Sequence, residues 1–335
     1  MKRIFTLLFA VLTATTIMAQ MHGPMKFVGA SNMTVSTMSN DNPSDTILFA
    51  MNGMESGNIT LPAMKGMQTI PSFTISGAKF TLCENHVVTF ADQTFSTKVK
   101  VDGEEKNITG KSLSGTYNMA DNSLSLTVVF QYGKMPFPMT YTVKGYYVKA
   151  VSNPITVTVG GQFTYNNDNV TYELRRYKDG GTDKLDVTVP SYSLTNTVMG
   201  DLTLGTYTVK GLVYDEAQGG YYRDYKNDGL SFHFTAVNGG KTTMDKDYEF
   251  AKEKANNILV KYEGSNVSSI VNTFQMGAMP FGIVSVFSAP ATSIEGVNAN
   301  ATAPADGRTY NLAGQRVDNN YKGIVIVNGK KYLRK

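Results

Sequence analysis

FQYGKMPF, residues 130–137, returns at residues 274–281 as FQMGAMPF with six of eight letters unchanged. The two copies lie 144 positions apart, and they are not alone. GMQTIPSFTISG (66–77) aligns without a gap on GDLTLGTYTVKG (200–211), and ITLP (59–62) parallels VTVP (187–190). The offsets rise in chain order, 128, 134, then 144, as they would if one domain were written twice with longer loops in the second copy. Within each octapeptide a glycine, Gly133 or Gly277, can take a positive φ. Pro136 and Pro280 then set the start of the following strand. Each octapeptide is therefore expected to be the turn of one hairpin, at the same place in each copy.

The residues around it read as strand. From Asn122 to Gln131, Leu124, Leu126, Val128 and Phe130 alternate with polar side chains, the period-two pattern of a half-buried strand. Similar runs recur at Phe73–Ile75, Thr94–Val101, Thr140–Lys149, Ile155–Tyr165, Lys184–Val189, Thr206–Tyr214 and Leu230–Val237. Gly- and Asn-containing breaks such as Val101-Asp102-Gly103-Glu104 supply hairpin turns between them. One stretch, Asp247–Ile258, is expected to be helical. Strands at this spacing, in two copies of barrel size, predict an all-β chain of two tandem antiparallel eight-stranded barrels. The expected divisions are 1–19 leader, 21–150 first barrel, 151–289 second barrel, 290–305 linker and 306–335 tail, with the boundary at Ala150-Val-Ser-Asn-Pro154.

The ends carry addresses. Met1-Lys2-Arg3, an apolar run from Ile4 to Val11 and a small residue at Ala19 have the layout of a secretory signal peptide. The run is shorter than the ~20 residues of a spanning helix, and no cysteine stands near the cut to take a lipid. The chain is therefore expected to be secreted, periplasmic or displayed at the cell surface. Its single cysteine, Cys83, rules out an internal disulfide. The formal +4 charge is unevenly spread: the tail, with seven Lys/Arg against two Asp, carries +5 and the leader +2, which leaves the body at −3. A nucleic-acid groove would place positive charge on the folded body, and that class of partner is excluded.

The barrel-sized copies and the Phe-Gln-x-Gly-x-Met-Pro-Phe hairpin resemble the calycin-like (lipocalin-like) β-barrel domains of secreted bacterial proteins. That resemblance covers about residues 21–290 and implies a barrel fold of undetermined activity. The chain has no tryptophan, so the Gly-x-Trp of lipocalins is missing and no binding residue is carried over. The tail, Tyr310-Asn-Leu-Ala-Gly-Gln-Arg-Val317 with Lys322-Gly-Ile and a Lys330-Lys331 pair, resembles a short C-terminal sorting segment of the type IX secretion pathway. Such a resemblance implies contact with export machinery. A two-hairpin appendage around Asn328-Gly329 is the plain alternative.

Motifs for chemistry are sparse. Cys83 and His86 are three apart in what reads as a strand, which points them to opposite faces. His22 and His233 lie elsewhere, and Gly110-Lys111-Ser112 lacks the leading glycine of a phosphate loop, because Glu105 holds that place. No enzyme activity, cofactor or metal is expected. Met51-x-x-Met54 and Met64-x-x-Met67 have the soft sulfur that Cu(I) takes, but the spacing splits each pair across a strand, and gap filling is the favoured reading. Tyr221, Tyr222 and Tyr225 beside Gly219-Gly220 read as aromatic residues at a hairpin tip, able to meet a sugar or a protein. At offset 144, Val128 becomes Asn272 and Tyr141 becomes Ser285. If Phe130 and Phe274 face inward, the second interior is wetter and has room for a small molecule. The expected function is noncatalytic binding of a small apolar or amphipathic ligand in a barrel, with glycan or protein adhesion through loop aromatics as the alternative.

Overall fold

The computed structural model describes residues 23–65, 69–83, 85–277, 279–288, 309–311, 316–318, 321–327 and 330–334, and among them every regular element is a strand. In chain order the first elements are β1 (Met25–Val35), β2 (Met38–Met51), β3 (Ser56–Leu61), β4 (Met64–Lys65), β5 (Thr69–Ile70), β6 (Phe73–Lys79) and β7 (Thr81–Leu82). β8 (Val87–Val101), β9 (Glu104–Asn118), β10 (Ser123–Tyr132), β11 (Met139–Val159), β12 (Phe163–Asp179) and β13 (Thr182–Val189) follow. Then come β14 (Tyr192–Thr197), β15 (Gly200–Leu204), β16 (Tyr207–Asp215), β17 (Gly220–Asp224), β18 (Ser231–Asn238) and β19 (Lys241–Glu249). The last are β20 (Asn257–Glu263), β21 (Asn266–Gln275), β22 (Gly282–Ser288), β23 (Thr309–Asn311), β24 (Gly323–Val327) and β25 (Lys330–Arg334).

Backbone pairing traces two closed antiparallel rings. The first runs β1, β2, β3, β6 with its continuation β7, β8, β9, β10 and β11, which returns to β1. The second runs β11, β12, β13, β16, β17, β20, β21 and β22, which returns to β11. A closed ring leaves no unpaired edge, which is how an all-β chain of this length avoids templating its own aggregation. Each ring encloses its own apolar cluster, one built on Phe27, Phe49, Phe90 and Phe130, the other on Tyr172, Tyr207, Phe274 and Phe287.

β11 belongs to both rings. Its first part pairs β1 and β10, and Ile155–Val159 pairs β12 and β22. The stretch expected to be a boundary, residues 150–154, therefore lies inside a continuous strand. Pro154 is tolerated there because the register with β12 shifts between Asn153 and Ile155, so no ladder hydrogen bond is asked of it. The same irregularity occurs in β1, between Gly29 and Ser31: in both, the partner strand skips from Asp45 to Asn42 or from Val170 to Asn167. Because β11 climbs out of the first ring at the end where β1 begins, the rings meet base to base, and the octapeptide turns lie at opposite ends.

Local details repeat between the rings. Gln131 Nε2 donates to the Met135 carbonyl and Gln275 Nε2 to the Met279 carbonyl, both at 2.5 Å. Gly133 and Gly277 have φ of 57° and 36°, the left-handed region that favours glycine. Thr60 and Thr74 share a hydroxyl bond of 2.9 Å, as do Thr188 and Thr208. Gly77 N–H is held by the Asn58 side chain, and Gly211 N–H by the Asp186 side chain.

Several expectations are corrected. Asp247–Ile258 is the end of β19, a turn and the start of β20, because Phe250 and Ile258 are drawn into the second core. Ile155–Tyr165 is two strands, broken by a turn at Gly160 and Gly161, both with positive φ. Cys83 and His86 sit in the tight turn between β7 and β8, where His86 has φ of 62° and its N–H meets the Cys83 carbonyl. In the tail, by contrast, β23, β24 and β25 pair antiparallel in chain order, two successive hairpins in one small sheet, as the plain reading of that segment expects. The leader, the linker 290–305 and Asn328-Gly329 lie outside the described residues.

Candidate binding site

A second sheet, β14-β15-β18-β19, covers the open end of the second ring and adds Tyr192, Leu194, Leu204, Phe232 and Phe234 to its core. Where this cover meets the octapeptide turn, a cavity of about 120 Å³ remains. Leu194 and Leu204 line it from the cover, Met276 and Met279 from the turn, and Val159 and Ile283 from the ring. Its rim is apolar and faces water: Val198 is 91% exposed, Phe163 49% and Phe281 52%. Phe281 is held in that position by packing against the Gly160 turn, where an added Cβ would come within 2.9 Å of its ring.

Below the cavity the lining turns polar. Ile283 and Ser285 are two residues apart on the same face of β22, about 7 Å along the strand. Leu194 and Tyr192 are related in the same way on β14. Asn272, fully buried, accepts a hydrogen bond from the Tyr225 hydroxyl at 2.8 Å and donates to the Tyr207 hydroxyl at 2.5 Å. Three buried oxygens nearby, the hydroxyls of Tyr172, Tyr192 and Ser285, make no hydrogen bond of good geometry, although the Ser285 hydroxyl lies within reach of both phenols. Burial pushes the Tyr172 and Tyr192 phenols well up, and the Ser285 hydroxyl close to both works in the opposite direction. Burial likewise raises Tyr207 and Tyr225. All four phenols are therefore neutral near pH 7 and act as hydrogen-bonding groups. A poorly partnered hydroxyl in a dry core costs up to about 1–3 kcal/mol, so this cluster would gain from a further hydrogen-bonding group.

The first ring is built differently at the same positions. By register, Ile47 stands where Tyr172 stands and Phe73 where Tyr207 stands, while Val128 occupies the place of Asn272. Its buried polar groups are Ser31 and Asp45, and the Asp45 carboxylate accepts from Ser31, from Asn42 at 2.6 Å and from the Tyr141 hydroxyl at 2.9 Å. These donors leave Asp45 satisfied inside its own ring.

Asn272, Ser285 and Tyr225 come together in the second interior. Tyr221 is 6% exposed and Tyr222 half-buried, so with Tyr225 they form no hairpin-tip surface; alternation along β17 turns Tyr221 inward against Tyr214 and Tyr262. Gly133, Pro136, Gly277 and Pro280 sit in the two matching turns. His233 lies on the cover sheet between Asp245 and Asp247 at 2.9 and 2.8 Å, and its pKa is raised chiefly by the hydrogen bond to Asp247. Among the described residues it meets no nucleophile, and no cluster of His, Cys, Asp and Glu could hold a metal ion. Met54 is exposed while Met51 is half-buried, and Met67 and His22 lie outside the described residues. Sequence reasoning missed Tyr172, Tyr192 and Tyr207. Carrying the repeat alignment through Met64/Tyr192 and Phe73/Tyr207 would have found the last two.

No helix among the described residues is long and apolar enough to cross a membrane. No curated protein matches the chain. A crystal structure of a candidate outer membrane protein from Bacteroides fragilis aligns over 81% of this chain and 98% of its own, at 16% identity and a TM-score of 0.26, a likeness too loose to bear on function. The model of the calycin-like beta-barrel domain matches residues 25–146, most of the first ring, and that stretch is similar to the domains of this family.

Proposed function

We propose that the chain is an exported, noncatalytic binding protein whose second ring receives the end of an apolar or amphipathic molecule. Residues 151–289 act in this reading as a second calycin-like domain, the first 19 residues as a cleaved leader and the tail as a sorting segment. The observation that carries the binding reading is the water-facing apolar rim of Val198, Phe163 and Phe281 around an apolar cavity. Exposed aromatic and aliphatic groups gathered at one mouth lose contact with water when a guest covers them. At about 120 Å³ the cavity is smaller than the roughly 300–1,000 Å³ of a pocket that swallows a whole small molecule, so it takes a chain end. The poorly partnered hydroxyls of Tyr172, Tyr192 and Ser285 one pleat deeper offer hydrogen bonds to a polar group that reaches them.

Titration with a fluorescent fatty acid tests this reading. The parent protein is expected to enhance the probe's emission saturably, and the double variant Phe163→Ser/Phe281→Ser to lose at least tenfold in affinity while its melting temperature stays unchanged. Equal binding by both proteins, or none by the parent, would refute it. Native mass spectrometry of protein from its source then identifies the guest.

A further inference from the structure

A second cavity, unconnected with the mouth of either ring, lies at the base-to-base junction. It measures about 630 Å³ and is walled by the base of the second ring and by Asn122, Tyr147 and Lys149 from the first-ring side. Tyr214, Tyr221 and Tyr262 form a ladder along it, edge to face at centroid distances of 5.7 and 5.9 Å. The Arg176 guanidinium lies over the middle ring, 5.4 Å from its centre, and pairs with Asp183 at 3.1 Å. None of the four tyrosine hydroxyls, those of Tyr147, Tyr214, Tyr221 and Tyr262, bonds to the described protein, and Lys149 meets only the Ser265 carbonyl, at 3.1 Å.

We propose that this cleft binds a saccharide. A sugar ring offers C–H faces that rest on aromatic rings and a periphery of hydroxyls that need donors and acceptors together. The cleft supplies both: aromatic surface, four free phenols, an amide, an ammonium group and a guanidinium–carboxylate pair. A purely apolar guest would strip water from Arg176, Asp183 and Lys149 without replacing it. A phosphate would meet Asp183 beside Arg176, where the cation is already taken. The volume suits a few sugar units. The site owes nothing to the mouth of the second ring, so each proposal can fail alone.

Calorimetric titration of the purified protein with maltohexaose, xylohexaose and hexagalacturonate tests the assignment. At least one is expected to bind at millimolar concentration or below. Tyr214→Ala and Arg176→Ala, both at exposed positions, should each weaken that binding about tenfold, with an unchanged melting temperature. Phe281→Ser at the distant mouth should leave it unaltered. Absence of binding by all three sugars, or binding that survives both cleft variants, overturns the proposal.

Discussion

Replacing Asn272 by leucine, nearly the same in volume, isolates the polar bridge inside the second ring. The amide accepts from Tyr225 at 2.8 Å and donates to Tyr207 at 2.5 Å, with no water-exposed surface on Asn272 itself. Losing two net hydrogen bonds removes about 2 kcal/mol, and two phenols left short of a partner in a dry core raise the cost toward about 4 kcal/mol. The rings of Tyr207 and Tyr225, 6.4 Å apart, can recover part of this by turning toward each other. A net loss of about 2–4 kcal/mol is therefore expected, on the order of a 10 °C fall in the melting temperature of a unit of this size. Urea melts followed by tyrosine emission suit a chain without tryptophan. Removing the phenols as well, in Asn272→Leu/Tyr207→Phe/Tyr225→Phe, should restore most of the stability, because deleting all partners of a buried bond costs far less than deleting one. The reasoning fails if the single variant is as stable as the parent, or if the triple variant is no better than the single.

Other consequences are open to measurement. Burial holds the Tyr117 and Tyr262 phenols up at about 12, against an ordinary value near 10. The unfolded chain thus loses these protons first, so the stabilisation is complete below pH 10 and falls away between pH 10 and 12. Ultraviolet titration should show a delayed set of tyrosines whose ionisation coincides with unfolding; ionisation of all tyrosines near pH 10 with the fold intact would contradict it. Gly29 lies opposite Gly145, and a Cβ there would come within 2.0 Å of the Lys144 carbonyl oxygen, whereas one on Gly145 would find its nearest atom at 3.3 Å. Gly29→Ala should therefore cost about 1–3 kcal/mol and Gly145→Ala clearly less, by chemical melts; equal costs would mean that the strands shift to make room. His233, with Asp247 and Asp245 raising its pKa, should titrate above 6.5 by NMR, and Asp247→Asn should bring it down. An unchanged midpoint in that variant would show that the hydrogen bond to Asp247 is not the main cause.

Much of the fold was legible because period-two patterning survives in strands with one face on a core. Leu124, Leu126, Val128 and Phe130 are all buried, and the octapeptide turns stand where their glycines and prolines placed them. Strands with polar faces were not legible: in β2, Met38–Ser44 is wholly exposed and carries no alternation to find. The helical reading of Asp247–Ile258 failed because local composition outweighed Phe250 and Ile258, two apolar anchors eight residues apart, one just past the end of β19 and the other in β20. Of the candidate site, the change from Val128 to Asn272 was visible, but its partners were not. Tyr207 and Tyr225 lie 65 and 47 residues from it in the chain.

By itself the sequence determined an all-β chain with one pattern of strands and turns used in two places, since alternation and turn chemistry are local properties of the backbone. Only the tertiary structure decided that a single strand, β11, serves both rings, and that Tyr221 faces a cleft at their junction while Asn272 sits within a cluster of phenols. Alternation tells which side chains share a face, but closure of a ring decides what that face meets. Those meetings join strands far apart in the chain, where no local pattern reaches.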